Sequence, residues 1–271
     1  MLWYLFYLYL LLQNRFLPMF TKALLKIPAS TMVNGITTAH LGPPDHTLAL
    51  SQHKLYRRAL EDCDVSVTLL EADEAYPDSV FIEDTAVVTD RFAILTRPGA
   101  PSRRGETASV RKKLEELFGQ VHSIEAPANL DGGDVMQCGT RFFIGLSGRT
   151  NREGVHQFSE LVKAYGYTTV PVTIGEMLHL KTGVSYLESN TLLMSGDLED
   201  HPHFTDFHRI TVPPEETYAA NSLWINGRVL VAEGHPLTSG KLKDAGYSII
   251  PVPMGEFRKL DGGLSCLSLR F

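Results

Sequence analysis

The sequence predicts an α/β fold, a propeller-like ring of about five strand–helix units whose first and last pieces share one blade. Three observations lead there. Turns of similar grammar recur at Val33-Asn-Gly35, Ile82-Glu83-Asp84, Leu130-Asp131-Gly132, His179-Leu-Lys-Thr-Gly183, Ala219-Ala-Asn221 and Leu260-Asp261-Gly262. They are spaced roughly 40 to 50 residues apart, the range of propeller repeats. Between them the order strand, helix, strand returns, so that six turns serve about five units. A ring reconciles the two counts and leaves few sheet edges exposed. It also brings the turn of each blade toward one axis, where residues remote in sequence meet.

The elements follow in order. Leu48, Leu55 and Ala59 mark a helix, and Val65 to Leu70 is a strand rich in apolar and β-branched residues. Ala86 to Thr96 alternates and stops at Pro98-Gly99, a strand-rich stretch closed by a turn pair. Arg104 to Phe118 carries Val110, Leu114, Leu117 and Phe118 at helical spacing, and Gln120 to Ala126 returns as a strand. The next unit repeats this with a strand at Phe142–Gly145, a helix over Asn151–Tyr165 and a strand over Thr168–Val172. Lys241 to Ala245 is a shortened helix before a strand over Ser248–Val252.

The chain has 271 residues, 44% hydrophobic and 21% charged, ordinary values for a globular protein with a full core. Its net charge is −6 and it has no Lys/Arg run, which argues against nucleic acid as a partner. Three cysteines, Cys63, Cys138 and Cys266, form no CxxC pair. That argues against a disulfide framework and a structural zinc site, and makes a reducing, cytoplasmic setting the default. Met1 to Leu12 is wholly apolar. It is too short to span a bilayer, which takes about 20 residues, and it lacks the marks of a secretory signal. Residues 1–20 therefore read as an apolar leader, either a hydrophobic tether or an artefact of the assumed start codon. The artefact is preferred because Met19 stands just before the globular pattern. Residues 21–271 read as one catalytic propeller domain.

The chemistry begins at Cys266, after the acidic turn Leu260-Asp261-Gly-Gly. Most free cysteines are small buried hydrophobes. A nucleophile needs a partner acid/base, and among ten histidines His179 is the best placed, at the head of a polar turn. His201, His203 and His208 lack regular ligand spacing and read as solvated, so no metal is expected. Asp78, Glu83 and Asp84 surround a strand-like apolar core, and Asp131 and Asp134 flank Gly132-Gly133. Asp before Gly is routine turn chemistry, but that explains less well an acid in blade after blade. Converging carboxylates repel one another, and a guanidinium or ammonium substrate would relieve this. Arg103 and Arg149 lie between strand and helix in consecutive units, placed to clamp an α-carboxylate. A substrate cationic at one end and anionic at the other suits both sets, and arginine derivatives have that pattern.

Four segments then carry a resemblance: Tyr76-Pro-Asp-Ser-Val-Phe-Ile-Glu-Asp84, Thr96-Arg-Pro-Gly-Ala-Pro-Ser-Arg-Arg-Gly-Glu106, His179-Leu-Lys-Thr-Gly183 and Asp261-Gly-Gly-Leu-Ser-Cys266. Over about residues 22–271 the chain resembles the dimethylarginine dimethylaminohydrolase family of the guanidino-group-modifying (pentein) superfamily, most of all its bacterial form. The resemblance implies a five-bladed α/β propeller with pseudo-fivefold repeat and no obligatory cofactor. It implies hydrolysis of asymmetric dimethylarginine or monomethylarginine to citrulline plus an amine. It also implies the roles. Cys266 is the nucleophile, His179 the general acid/base, and Asp131 the acid that contacts histidine and guanidinium. Glu83 and Asp84 face the guanidino end, and Arg103 and Arg149 clamp the carboxylate. Asp78, the backbone of Leu260 and the adjoining Asp261 bind the amino-acid end, and Met32 sits in a mobile lid. The oligomeric state, including a homodimer, stays open. Arginine deiminase, built on a longer chain, and a non-catalytic propeller similar to a ribosome anti-association factor are the competing readings. The second has no reason to keep Cys266, His179 and the acids together.

Overall fold

The computed structural model describes residues Met19–Phe271. The leader Met1–Leu12, and with it the choice between tether and artefact, lies outside the described residues. Five three-stranded sheets form the blades of an α/β propeller, and each combines an antiparallel pair with a parallel third strand. β1 (Lys22–Lys26) runs through helix α1 (His46–Glu61) to its parallel neighbour β2 (Ser66–Leu70). β3 (Ala86–Val88) and β4 (Ala93–Leu95) form a hairpin, and α2 (Thr107–Phe118) leads to β5 (His122–Ser123). β6 (Val135–Cys138), β7 (Arg141–Leu146), α3 (Arg152–Lys163) and β8 (Thr168–Thr173) repeat the plan. So do β9 (Val184–Tyr186), β10 (Thr191–Met194) and β11 (His208–Thr211), with 3-10 turns in place of the helix. β12 (Leu223–Ile225), β13 (Arg228–Ala232), α4 (Pro236–Asp244) and β14 (Ser248–Val252) make the fifth unit. Parallel neighbours need such long crossovers, whereas hairpins do not. The ring closes where β15 (Leu269–Arg270) pairs antiparallel with β1, setting Ala23 opposite Arg270 and Leu24 opposite Leu269. The two chain ends thus share one blade, as expected.

Local chemistry sets the element ends. Asp45 caps α1 by accepting the Leu48 N–H, and Asn151 caps α3 by accepting that of Gly154, each at 2.9 Å. The period of α1 is as read from the sequence, but its buried face is Ala49, Tyr56, Ala59 and Leu60, while Leu48 and Leu55 face solvent. The strand expected over Gln120–Ala126 shrinks to His122–Ser123, and His208 opens an edge strand rather than lying in a loop. Apolar clusters fill the gaps between neighbouring blades; Leu25 and Tyr56 of the first, for example, pack with Leu230 and Val252 of the fifth. The apolar residues are therefore drawn off the axis and the inner turns are left polar. Five short helical turns lead into the first strand of each blade: Ile82–Thr85, Gly132–Asp134, Leu180–Gly183, Pro214–Ala220 and Ser265–Leu267. The turn at Val33–Gly35 instead follows β1, which resolves the excess of turns over blades. No helix among the described residues is long and apolar enough to cross a membrane.

Candidate active site

A cavity of about 70 Å³ opens where the inner turns converge. Cys266 and His179 both line it, together with Asp78, Glu83, Asp84, Arg103, Arg149, Leu260 and Asp261. Asp131 stands behind His179, fully buried.

The thiol sits in the one-turn helix Ser265–Leu267, and the Gly263 N–H donates to its sulfur at 3.3 Å. Burial, reinforced by Glu83 and Asp84, pushes the Cys266 thiol up to about 12. Both effects favour the neutral thiol over the thiolate.

His179 precedes the turn Leu180–Gly183 in extended backbone. Its Nε2 pairs with Asp131 Oδ2 at 3.0 Å, and its Nδ1 lies 3.9 Å from Asp84 Oδ1. Burial would lower the imidazole, but Asp84, the Asp131 hydrogen bond and Asp134 outweigh it and raise His179 to about 9. The ring approaches Gly133 so closely that a Cβ there would lie 2.5 Å from Nδ1, so only glycine fits. Asp131 is itself fixed, since its Oδ1 accepts the Gly99 N–H at 2.8 Å. Asp134 accepts the Leu180 N–H at 2.9 Å and the Ser147 hydroxyl at 2.6 Å, tying the histidine turn to the loop that carries Arg149. Asp84 accepts from Arg103 Nη1 at 2.6 Å and from the Gly133 N–H at 2.9 Å. Burial opposes its charge, but His179 and Arg103 overcome that and hold Asp84 down at about 2.

The floor is built differently. Glu83 Oε1 accepts from Lys181 Nζ at 2.6 Å and Arg270 Nη2 at 3.0 Å, and Oε2 accepts the Ser265 hydroxyl at 2.7 Å. Asn221 braces it, accepting the Ser265 N–H and donating to the Lys181 carbonyl, each at 2.9 Å.

At the mouth the two arginines separate. Arg103 is buried, and it donates to Asp84, Glu106 and the Phe81 carbonyl, which leaves a single Nη1–H uncommitted among the described residues. Among the described residues Arg149 makes no closer ion pair than 4.0 Å, to Asp131, and its side chain stays 19% exposed. Two acids hold the loop above: Asp78 accepts the Ile36 N–H at 3.0 Å and Asp261 accepts that of Thr38 at 2.6 Å.

Several expectations change accordingly. Met32 is not at the cavity; it is fully buried in the cluster with Tyr56 and Ala49, and Ile36 lines the mouth instead. Its length fills a core gap, which removes it from solvent. Glu83 reaches the cavity with both oxygens already engaged. Arg103 is mainly the partner of two carboxylates. Asp261 grips the loop. The sequence reading missed Lys181, Arg270, Ser265 and Asn221. Lys181 and Asn221 lie inside recurring turns it had marked, but no local signal singles out Arg270. Asp84, Asp131 and His179 have ligand atoms within 4.8 Å of one another, the one such group among the described residues.

Residues 44–194 match the family model described as N,N dimethylarginine dimethylhydrolase, eukaryotic. The chain is 48% identical over 254 residues to the N(G),N(G)-dimethylarginine dimethylaminohydrolase of Pseudomonas aeruginosa, covering 93% of this chain and 100% of that protein. It is 38% identical over 250 residues to the Streptomyces coelicolor enzyme of the same name, covering 92% and 96%. The solved Pseudomonas aeruginosa structure, a cysteine-to-serine mutant complexed with citrulline, superposes with a TM-score of 0.92 at 47% identity over 93% of this chain and all of that one. The chain belongs to the dimethylarginine dimethylaminohydrolase family.

Proposed function

We propose that this protein hydrolyses Nω-methylated arginine, asymmetric dimethylarginine or monomethylarginine, to citrulline and dimethylamine or methylamine. One observation carries the reading: a thiol and a protonated imidazole share a cavity with carboxylates on its wall and an uncommitted guanidinium at its mouth. A solved relative 47% identical holds citrulline.

The guanidinium enters beside Asp84 and Cys266, with Asp131 behind the His179 ring. Its charge offsets the carboxylates that hold the thiol neutral, so the Cys266 proton is lost to solvent on binding. The thiolate attacks the guanidinium carbon, forming a C–S bond. The bond from that carbon to the methylated nitrogen breaks as His179 gives the nitrogen its proton. An amine leaves and a thiouronium remains on sulfur. His179, now neutral, takes a proton from water; the hydroxyl adds to the same carbon, the C–S bond breaks and the ureido product departs. An imidazole held near 9 is a ready acid for the first half and a competent base for the second. Asp131 orients the ring, Arg149 carries most of the α-carboxylate, and Arg103 offers one N–H while holding Asp84. Asp78 and the Leu260 backbone face the α-amino end. Residues 21–271 act as one catalytic unit, because the thiol from the closing blade needs the histidine of the fourth. Its free cysteines suit a reducing compartment such as the cytoplasm.

The test is to offer asymmetric dimethylarginine, monomethylarginine, arginine and agmatine, and to measure ureido product and released amine. Turnover of the two methylated arginines with little of the others is expected. Faster release of ammonia from arginine would replace this reading with a deiminase.

A further inference from the structure

The axis holds a second cavity, of about 150 Å³, behind the floor of the first. Both are lined by Glu83, Lys181 and Ser265, so the floor is one layer of side chains. None of the chemistry above uses the rear cavity.

Its composition is specific. Phe20, Tyr186 and Trp224 line it, with Phe20 and Trp224 edge to face at 6.4 Å between ring centroids. Glu188 lines it too, half-buried, and its carboxylate has no hydrogen-bond or ion-pair partner among the described residues. Burial raises this carboxyl, and no cation among the described residues offsets the effect. The backbone adds an independent mark. Glu188, Ser189 and Asn190 have φ of 63°, 49° and 60° in the hairpin from β9 to β10. The Thr191 N–H donates to the Glu188 carbonyl and closes a turn over Ser189 and Asn190 alone. Left-handed backbone at a glutamate is unusual, and such conformations gather where a side chain must be aimed.

A carboxylate without a counter-charge among the described residues, in a cavity that three aromatic side chains also line, suits a soft cation. The carboxylate supplies the opposite charge, and ring faces attract methyl groups bearing positive charge. Metal ions are poorly served, because the second carboxylate of the lining, Glu83, is already paired with Lys181 and Arg270, and Glu188 alone cannot replace a hydration shell. Lys181 and Arg270 at the inner end repel a positive ligand, which keeps it at the Glu188 end.

We propose that the rear cavity is a binding site for a small methylated ammonium ion, seated between Glu188 and the faces of Phe20, Tyr186 and Trp224. The amine released by the reaction, protonated in water, is of this class; that link rests on the proposed function, whereas the site does not.

The experiment titrates the full chain by calorimetry with dimethylammonium, tetramethylammonium, ammonium, methylguanidinium and sodium, the front cavity being saturated with citrulline. The Trp224 indole N–H resonance is followed in parallel. Methylated ammonium should bind at least tenfold more tightly than ammonium or sodium and should move the Trp224 resonance. Glu188→Gln and Trp224→Leu should each weaken binding at least tenfold, and Glu188→Gln should leave turnover within twofold of wild type. Cys266→Ser should bind the amine as wild type does, so a protein without turnover still gives a readable result. Absence of binding, unchanged affinity in Glu188→Gln, abolition of binding by citrulline, or tighter binding of methylguanidinium would each overturn the proposal. Should Trp224→Leu fail to fold, Glu188→Gln on its exposed turn decides alone.

Discussion

At the floor of the front cavity, Glu83 gives both oxygens to Lys181, Arg270 and Ser265. On the wall a few ångströms away, Asp84 and Asp131 direct their charge at His179. The floor neutralises its acid with cations and seals the axis. The wall uses its acids to keep an imidazole protonated, whereas the thiol is kept neutral by burial together with one acid from each side, Glu83 and Asp84. Neighbouring residues in the chain, Glu83 and Asp84, thus belong to opposite arrangements. A carboxylate at a cavity is a ligand for a cation only after its existing partners have been counted. The two arginines divide similarly, Arg103 being absorbed by structure and Arg149 having no ion pair closer than 4.0 Å among the described residues.

The largest test of this contrast is Cys266→Ser. It should abolish turnover while substrate still binds, as followed by calorimetry; residual activity would remove the thiol from the chemistry. Next, Asp131→Asn should lower kcat by about 10²-fold or more with little change in melting temperature, since it weakens an acid/base residue without opening the core. An equal loss from Glu83→Gln without destabilisation would erase the distinction between floor and wall. Third, Arg103→Ala should cost about 3–5 kcal/mol of stability in denaturant melts, because Asp84 and Glu106 lose their buried partner. Arg149→Ala should instead raise KM by about 10–100-fold with the fold intact, the scale of a charge-assisted hydrogen bond. Fourth, the pH profile of thiol alkylation should move down when a non-reactive guanidinium ligand is bound, since the ligand cancels the carboxylates that raise Cys266. An unmoved profile would sink substrate-assisted activation. The smallest effect is on stability. The folded imidazole of His179 lies at about 9 against an ordinary 6.5. Its contribution is therefore full below pH 6.5 and is lost as pH rises through 9, and His179→Gln should flatten that part of the pH–stability curve.

The contrast also shows how far pattern reading reaches. The turn grammar located Asp131, His179 and Cys266 because each blade enters its first strand through a similar turn, and similarity of turns survives in sequence. Helical spacing found α1, α2 and α3. It misjudged which side of α1 is buried, because Leu48 and Leu55 satisfy the period as well as Ala49 and Tyr56 do. Only the neighbouring blade decides between those faces. The fourth blade has no helix between β10 and β11, so nothing with a 3.6-residue period marked it.

Partnership was the part that one dimension concealed. Glu83 and Arg270 are 187 positions apart, and Lys26 and Ser109, another part-buried contact, are 83 apart. The residue order dictated the alternation of strands and helices, the recurrence of similar turns, the presence of an imidazole and a thiol at or just after two of them, and two arginines between strand and helix. Those are local properties, fixed by spacing and turn chemistry. Closure of the ring decided which acids are spent on cations of the protein and which remain for a ligand, whether Met32 or Ile36 meets solvent, and that a second aromatic cavity lies behind the floor. Electrostatic partnership depends on distance in space, and that distance exists only once β15 has paired with β1.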